Sequence, residues 1–122
     1  MRIGELARRT GTTARALRYY EQQGLLSSER QENGYRDYDA DAVIRVRNVR
    51  YLLDIGLRSE DVRGFGACLT VDLVGSPPCD EAVGVYERRL DAVRARLHRL
   101  HDVRDSLSAQ ITAARTDTAA QP

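Results

Sequence analysis

The 122-residue chain has no tryptophan, one phenylalanine, three prolines and two cysteines, and each shortage narrows what it can be. All nineteen of its basic residues are arginine and none is lysine. Guanidinium groups suit phosphate recognition, although a GC-rich coding sequence produces the same bias. No apolar run approaches the roughly 18 residues that a membrane span requires, so no membrane segment is expected. Glu5, Arg8 and Arg9 interrupt the N-terminal stretch where a secretion signal would be apolar, which predicts a cytoplasmic protein. In that compartment two cysteines are expected as thiols rather than as a structural disulfide. No Ser/His/Asp grouping, carboxylate pair or phosphate-cradling glycine loop is present, so an enzyme is not the expected class, and no cofactor is called for.

What is there describes a folded chain, 42% hydrophobic and 30% charged, with a net charge of only +1. The distribution of charge is more informative than the sum. Residues 1–24 hold five Arg against Glu5 and Glu21, a net of +3, whereas residues 67–122 hold seven Arg against eight acids, a net of −1.

Periodicity and punctuation divide the chain into a head at 1–66, a connector at 67–78, a long helix at 79–113 and a flexible tail at 114–122. In the head, Ile3, Leu6 and Ala7 share one face of a first helix over about 3–9. Gly11 turns the chain, Thr12 or Thr13 caps a second helix through Gln23, and Gly24 ends it. Two helices joined by about three residues with glycine form a helix-turn-helix. Ser27, Ser28 and Asn33-Gly34 predict a small two-stranded wing over about 26–38. Asp39 caps a third helix with Ala42, Val43, Val46, Val49 and Leu53 on its apolar face, ending at Gly56. Ser59, Glu60 and Asp61 open a short fourth helix.

Pro77-Pro78 closes a Gly- and Pro-containing connector that is expected to be flexible. Beyond it, Val83, Tyr86, Leu90, Val93, Leu97, Leu100, Leu107 and Ile111 follow alternating three- and four-residue steps, with Arg104 at a seam position. Some 35 helical residues would extend roughly 50 Å, more than this head can cover, so the stripe is expected to pair with a second copy as a coiled coil. The fold class is therefore mostly α: a winged helix-turn-helix head followed by a long dimerisation helix in an antiparallel coiled coil.

Arg15, Arg18 and Tyr19 lie at three- and four-residue spacing on the second helix. They are suited to guanine and phosphate recognition. The wing carries Arg30, Asn33, Tyr35 and Arg36 beside them. The run Ile3-Gly4-Glu5-Leu6-Ala7, the segment Arg18-Tyr19-Tyr20-Glu21, the wing Asn33-Gly34-Tyr35-Arg36 and the third-helix ending Ile55-Gly56-Leu57 together closely resemble the MerR family over the first 65 residues. The resemblance implies a homodimeric regulator on double-stranded promoter DNA, with RNA polymerase as partner at the promoter. Arg15 would read base edges, and Arg18, Tyr19, Tyr20, Arg30, Asn33, Tyr35 and Arg36 would contact mainly phosphates, with Tyr20 and Tyr38 open to the alternative of core aromatics in the head. It further implies a two-fold operator whose DNA is bent and untwisted by the activated protein. The family commonly carries an arginine near the end of the third helix where this chain has Leu53, which leaves open whether Arg50 substitutes.

Signal input is less determined. The chain is expected to lack the large effector domain of drug-binding members and the clustered cysteines of iron–sulfur members. Cys79 matches the first ligand position of metal-sensing members, but no soft ligand follows His101. Cys68 and Cys79 bracket the connector, and three readings stay open: inert packing, a redox pair, or a two-thiolate metal site. His98 and His101 are expected to be solvated. Rival functions are an excisionase-like DNA-bending module, which would not need the long helix, and a protein-interaction adaptor built on the coiled coil.

Overall fold

The computed structural model describes residues 1–30, 32, 34–75 and 77–120; Asn33 and the side chain of Arg30 fall outside this description. The chain divides into two units, Met1–Glu87 and Arg88–Pro122.

The first unit opens with α1 (Ile3–Thr10), which buries Leu6, Ala7 and Thr10 and stops at Gly11, whose φ of 66° is left-handed. Helix α2 (Ala14–Gln22) starts where the Thr13 side chain accepts from the Ala16 N–H at 3.1 Å. Strands β1 (Glu29–Arg30) and β2 (Arg36–Asp37) pair antiparallel, Glu29 opposite Asp37 and Arg30 opposite Arg36. The ladder is continued by backbone bonds between Met1 and Tyr38, which place the start of α1 beside the wing.

Helix α3 (Ala40–Asp54) is capped by Asp39, whose carboxylate accepts from the Ala42 N–H at 3.1 Å. It buries Ala42, Val46, Val49 and Leu52. The sequence pattern put Leu53 on this face. The structure buries Leu52 fully and Leu53 only partly, because either residue continues a three- or four-residue step and the packing of α1 and α4 selects between them. Helix α4 (Ser59–Arg63) begins with the Asp61 carboxylate accepting from the Arg58 N–H at 2.9 Å. A 3₁₀ turn (Gly66–Thr70) follows. The core gathers Leu6, Leu17, Leu25, Val46, Leu52, Val62 and Phe65 with Leu69 of that turn.

Helix α5 (Asp80–Ala120) lends its first turns to the same core. Ala82 and Val85 are buried, and the Tyr86 ring meets Phe65 edge-on at 5.4 Å. Tyr86, expected in the dimer seam, is thus engaged by the head.

Part of the connector is tied to α3. Asn48 of α3 is buried, and its amide donates to the carbonyls of Leu69 at 2.6 Å and Val71 at 2.7 Å, while its oxygen accepts from the Leu73 N–H at 3.4 Å. A buried amide costs stability unless its hydrogen bonds are made, and here one side chain satisfies three backbone groups of an irregular segment.

The second unit is helical as far as Ala120, so residues 114–120, expected as part of a flexible tail, continue α5 instead. Ala113, Ala114 and Ala119–Ala120 favour helix, and the hydroxyls of Thr116 and Thr118 bond back to the carbonyls of Thr112 and Ala114. No helix among the described residues is long and apolar enough to cross a membrane.

Candidate nucleic-acid interface

The second helix of a helix-turn-helix can present side chains only if its turn is held. Here the holding is done by arginines of α3 and α4. Arg50 donates to the carbonyls of Thr10 at 2.6 Å and Gly11 at 3.1 Å, and Arg47 to that of Arg9 at 3.3 Å. Arg63 donates to the carbonyl of Gln23 at 2.6 Å. Each satisfies carbonyls that the ends of α1 and α2 leave without helical partners. Arg50 is therefore engaged with the turn between α1 and α2.

On α2 itself, Arg15, Arg18 and Tyr19 are exposed, as the spacing predicts. Among the described residues, the guanidiniums of Arg15 and Arg18 have no ion pair or hydrogen bond. Most other head arginines are occupied: Arg9 pairs with Glu5 at 2.8 Å, and Arg36 with Glu21 at 3.4 Å.

The other side of α2 faces inward. Tyr20, expected among the phosphate contacts, is only 8% exposed and packs in the core. Burial pushes its phenol above the usual range, with Arg50 working against that rise. Tyr38 is buried too and donates its hydroxyl to Glu21. Burial and that bond push Tyr38 up to about 12. Glu21 thus joins α2 to both Tyr38 and Arg36, a role the sequence reading did not assign to it.

A residue missed from the sequence completes the surface. Arg2 lies ahead of α1, and its guanidinium stacks over the Tyr35 ring at 4.1 Å from the centroid. Arg2, Gly4, Arg18, Tyr35 and Arg36 line one open cleft of about 450 Å³ between α1, α2 and the wing. The positive balance of residues 1–24 counted Arg2, but only the Met1–Tyr38 pairing brings it to the wing. Asn33 lies outside the described residues, and for Arg30 the structure gives the backbone in β1 alone.

Away from this surface, Cys68 and Cys79 are joined by a disulfide, with Cα atoms 7.0 Å apart, where thiols were expected. The 3₁₀ turn brings Cys68 back toward the residue preceding α5. Among the described residues no three His, Cys, Asp or Glu side chains gather as a metal site. His98 is exposed on α5, 3.6 Å from Asp102.

The family model for MerR helix-turn-helix regulatory proteins matches residues 1–65. The nodulation protein NolA of Bradyrhizobium elkanii is 48% identical over 63 residues, covering 51% of this chain and 29% of NolA. The chain thus spans under a third of the length of that relative. The transcriptional regulator ZntR of Escherichia coli K12 is 33% identical over 107 residues, 87% of this chain and 74% of ZntR. Among solved structures, the lead(II) complex of the regulator PbrR691 from Ralstonia metallidurans CH34 shares the fold with a TM-score of 0.69 at 24% identity, covering 89% of this chain and 84% of that one. By its head, and by its likeness to ZntR through most of the long helix, the chain belongs to the MerR family of helix-turn-helix regulatory proteins.

Proposed function

We propose that the chain is a DNA-binding transcriptional regulator that grips a two-fold promoter operator as a homodimer. The observation that carries this reading is the pair of exposed guanidiniums of Arg15 and Arg18 on α2, without a partner among the described residues, beside a wing and within a head of MerR type. Arg15 is assigned to base edges in the major groove, and Arg18 and Tyr19 to phosphates. Arg2, Arg30, Asn33, Tyr35 and Arg36 are assigned to the adjoining phosphates. Tyr20 is given no DNA contact because its ring is in the core.

Dimerisation is assigned to α5. Leu90, Leu97, Leu100, Leu107 and Ile111 are about half exposed in the single chain, an apolar row that a second copy would cover. Arg104, ion-paired to Asp105 at 3.1 Å, lies on that row. Parallel pairing would set two Arg104 side chains against each other, which favours the antiparallel arrangement. Holding two heads at fixed spacing then lets the dimer bend or untwist the DNA between half-sites and so change how RNA polymerase engages the promoter. The site of action is the cytoplasm.

ZntR is named as a transcriptional regulator, and the likeness to it extends well past the head. That extent weighs against an excisionase-like module, which has no need of α5. Footprinting on the DNA upstream of the chain's own gene is the direct test. Two protected half-sites about one helical turn apart are expected; protection of no DNA at low salt would remove the reading.

A further inference from the structure

We propose that Cys68 and Cys79 form a dithiol–disulfide site through which peroxides and low-molecular-weight thiols set the regulator's output. The inference rests on the promoter-binding reading for its output and on the following geometry for its chemistry. The two cysteines stand eleven residues apart, yet the fold brings their sulfurs into bonding contact, and both residues are partly exposed. They are the chain's only cysteines.

The segments they join are each anchored independently. On one side Leu69 is buried and Asn48 holds the carbonyls of Leu69 and Val71. On the other, Ala82 and Val85 are buried and Tyr86 packs on Phe65. Opening the bond therefore leaves the core in place and frees only the tie between the 3₁₀ turn and the start of α5. That is the point where the head passes into the helix assigned to dimerisation. A disulfide in a cytoplasm buffered by glutathione is characteristically transient and sensing rather than structural.

The chemistry balances with a peroxide as oxidant and a thiol as reductant. The Cys79 thiolate, just ahead of the α5 N-terminus, attacks a peroxide oxygen; the O–O bond breaks, leaving a sulfenic acid on Cys79 and releasing hydroxide, or alkoxide from an alkyl peroxide. The Cys68 thiolate then attacks that sulfur, forming S–S and expelling a second hydroxide. With hydrogen peroxide, two thiols and one peroxide give one disulfide and two waters. In reverse, two glutathione molecules return two thiols and one glutathione disulfide, through a mixed disulfide.

The test uses the full chain, reduced with dithiothreitol and then treated with hydrogen peroxide. Intact mass is expected to show the loss of two hydrogens, and the bond is expected to open and close with the ratio of reduced to oxidised glutathione. Transcription from the footprinted promoter is expected to differ between the two forms by about fivefold or more, the low end of ordinary allosteric coupling, with operator affinity unchanged. Cys68→Ser and Cys79→Ser should each remove the response. Thiols that stay free after peroxide, or a bond that glutathione never opens, would overturn the site without reference to DNA. A footprint that persists while transcription ignores redox state would overturn the inference and leave the promoter-binding reading standing. Absence of any footprint in either form would instead strike that reading and, with it, the assigned output.

Discussion

The hydroxyl of Tyr38 donates to one carboxylate oxygen of Glu21, while the other oxygen lies 3.4 Å from the guanidinium of Arg36. The wing is thereby tied to α2 through a largely buried acid. Tyr38 has its folded pKa pushed to about 12 from an unfolded value of 10.0. Its contribution to stability is fully present below about pH 10 and is lost as pH rises from there through about 12. Tyr38→Phe should cost about 1 kcal/mol at neutral pH through the lost hydrogen bond. Urea unfolding at pH 9 and pH 11.5 should show the gap between wild type and variant closing at the higher pH. A constant gap would mean that the phenol does not titrate with folding.

Arg15 and Arg18 should separate by mechanism. Arg18→Ala is expected to weaken binding to every DNA sequence and to flatten the dependence of log affinity on log salt by about one unit. Arg15→Ala should relax preference at one base pair by roughly 1–3 kcal/mol. Arg2→Ala should act like Arg18→Ala and also remove the guanidinium stacked over the Tyr35 ring. Fluorescence anisotropy across a salt series, on operator and scrambled DNA, checks all three; identical profiles for the variants and wild type would remove α2 and Arg2 from the interface.

Leu97→Asp places a charge within the exposed apolar row of α5. Monomers by light scattering are expected, with operator affinity lowered on the order of 10²-fold or more as the two half-sites cease to bind together. A dimer that survives the substitution would show that the seam runs along another face.

Asn48→Ala should leave the carbonyls of Leu69 and Val71 without their buried donor, at about 1–3 kcal/mol. Asn48→Asp should cost more, since a carboxylate has no N–H to give and brings a buried charge. Denaturant midpoints would rank the three proteins. Equal midpoints would mean that the connector is not held by this residue.

The elements that could be read directly from the sequence are those whose causes lie within a few residues. Gly11 and Gly24, with φ of 66° and 74°, end helices because glycine enters the left-handed region without a Cβ penalty. Thr13 and Asp39 start helices because their side chains reach backbone N–H groups three residues on. The exposed Arg15–Arg18–Tyr19 face follows from helical spacing alone. Determined in this way were the helix-turn-helix, the wing, the long amphipathic helix and the family they mark.

Only the tertiary structure decided which residues are partnered, because a partner distant in the chain leaves no local trace. An arginine at position 50 looks like one at position 15, yet the first is engaged with the turn between α1 and α2 and the second is not. Tyr19 and Tyr20 are adjacent and chemically identical, but successive helical residues point about 100° apart, so one faces solvent and the other the core. The choice of Leu52 over Leu53, the hold of Asn48 on the connector, the stack of Arg2 on Tyr35 and the meeting of Cys68 with Cys79 all depend on segments that converge only after the core has closed. Periodicity can name a face of a helix, but what that face meets is settled by packing.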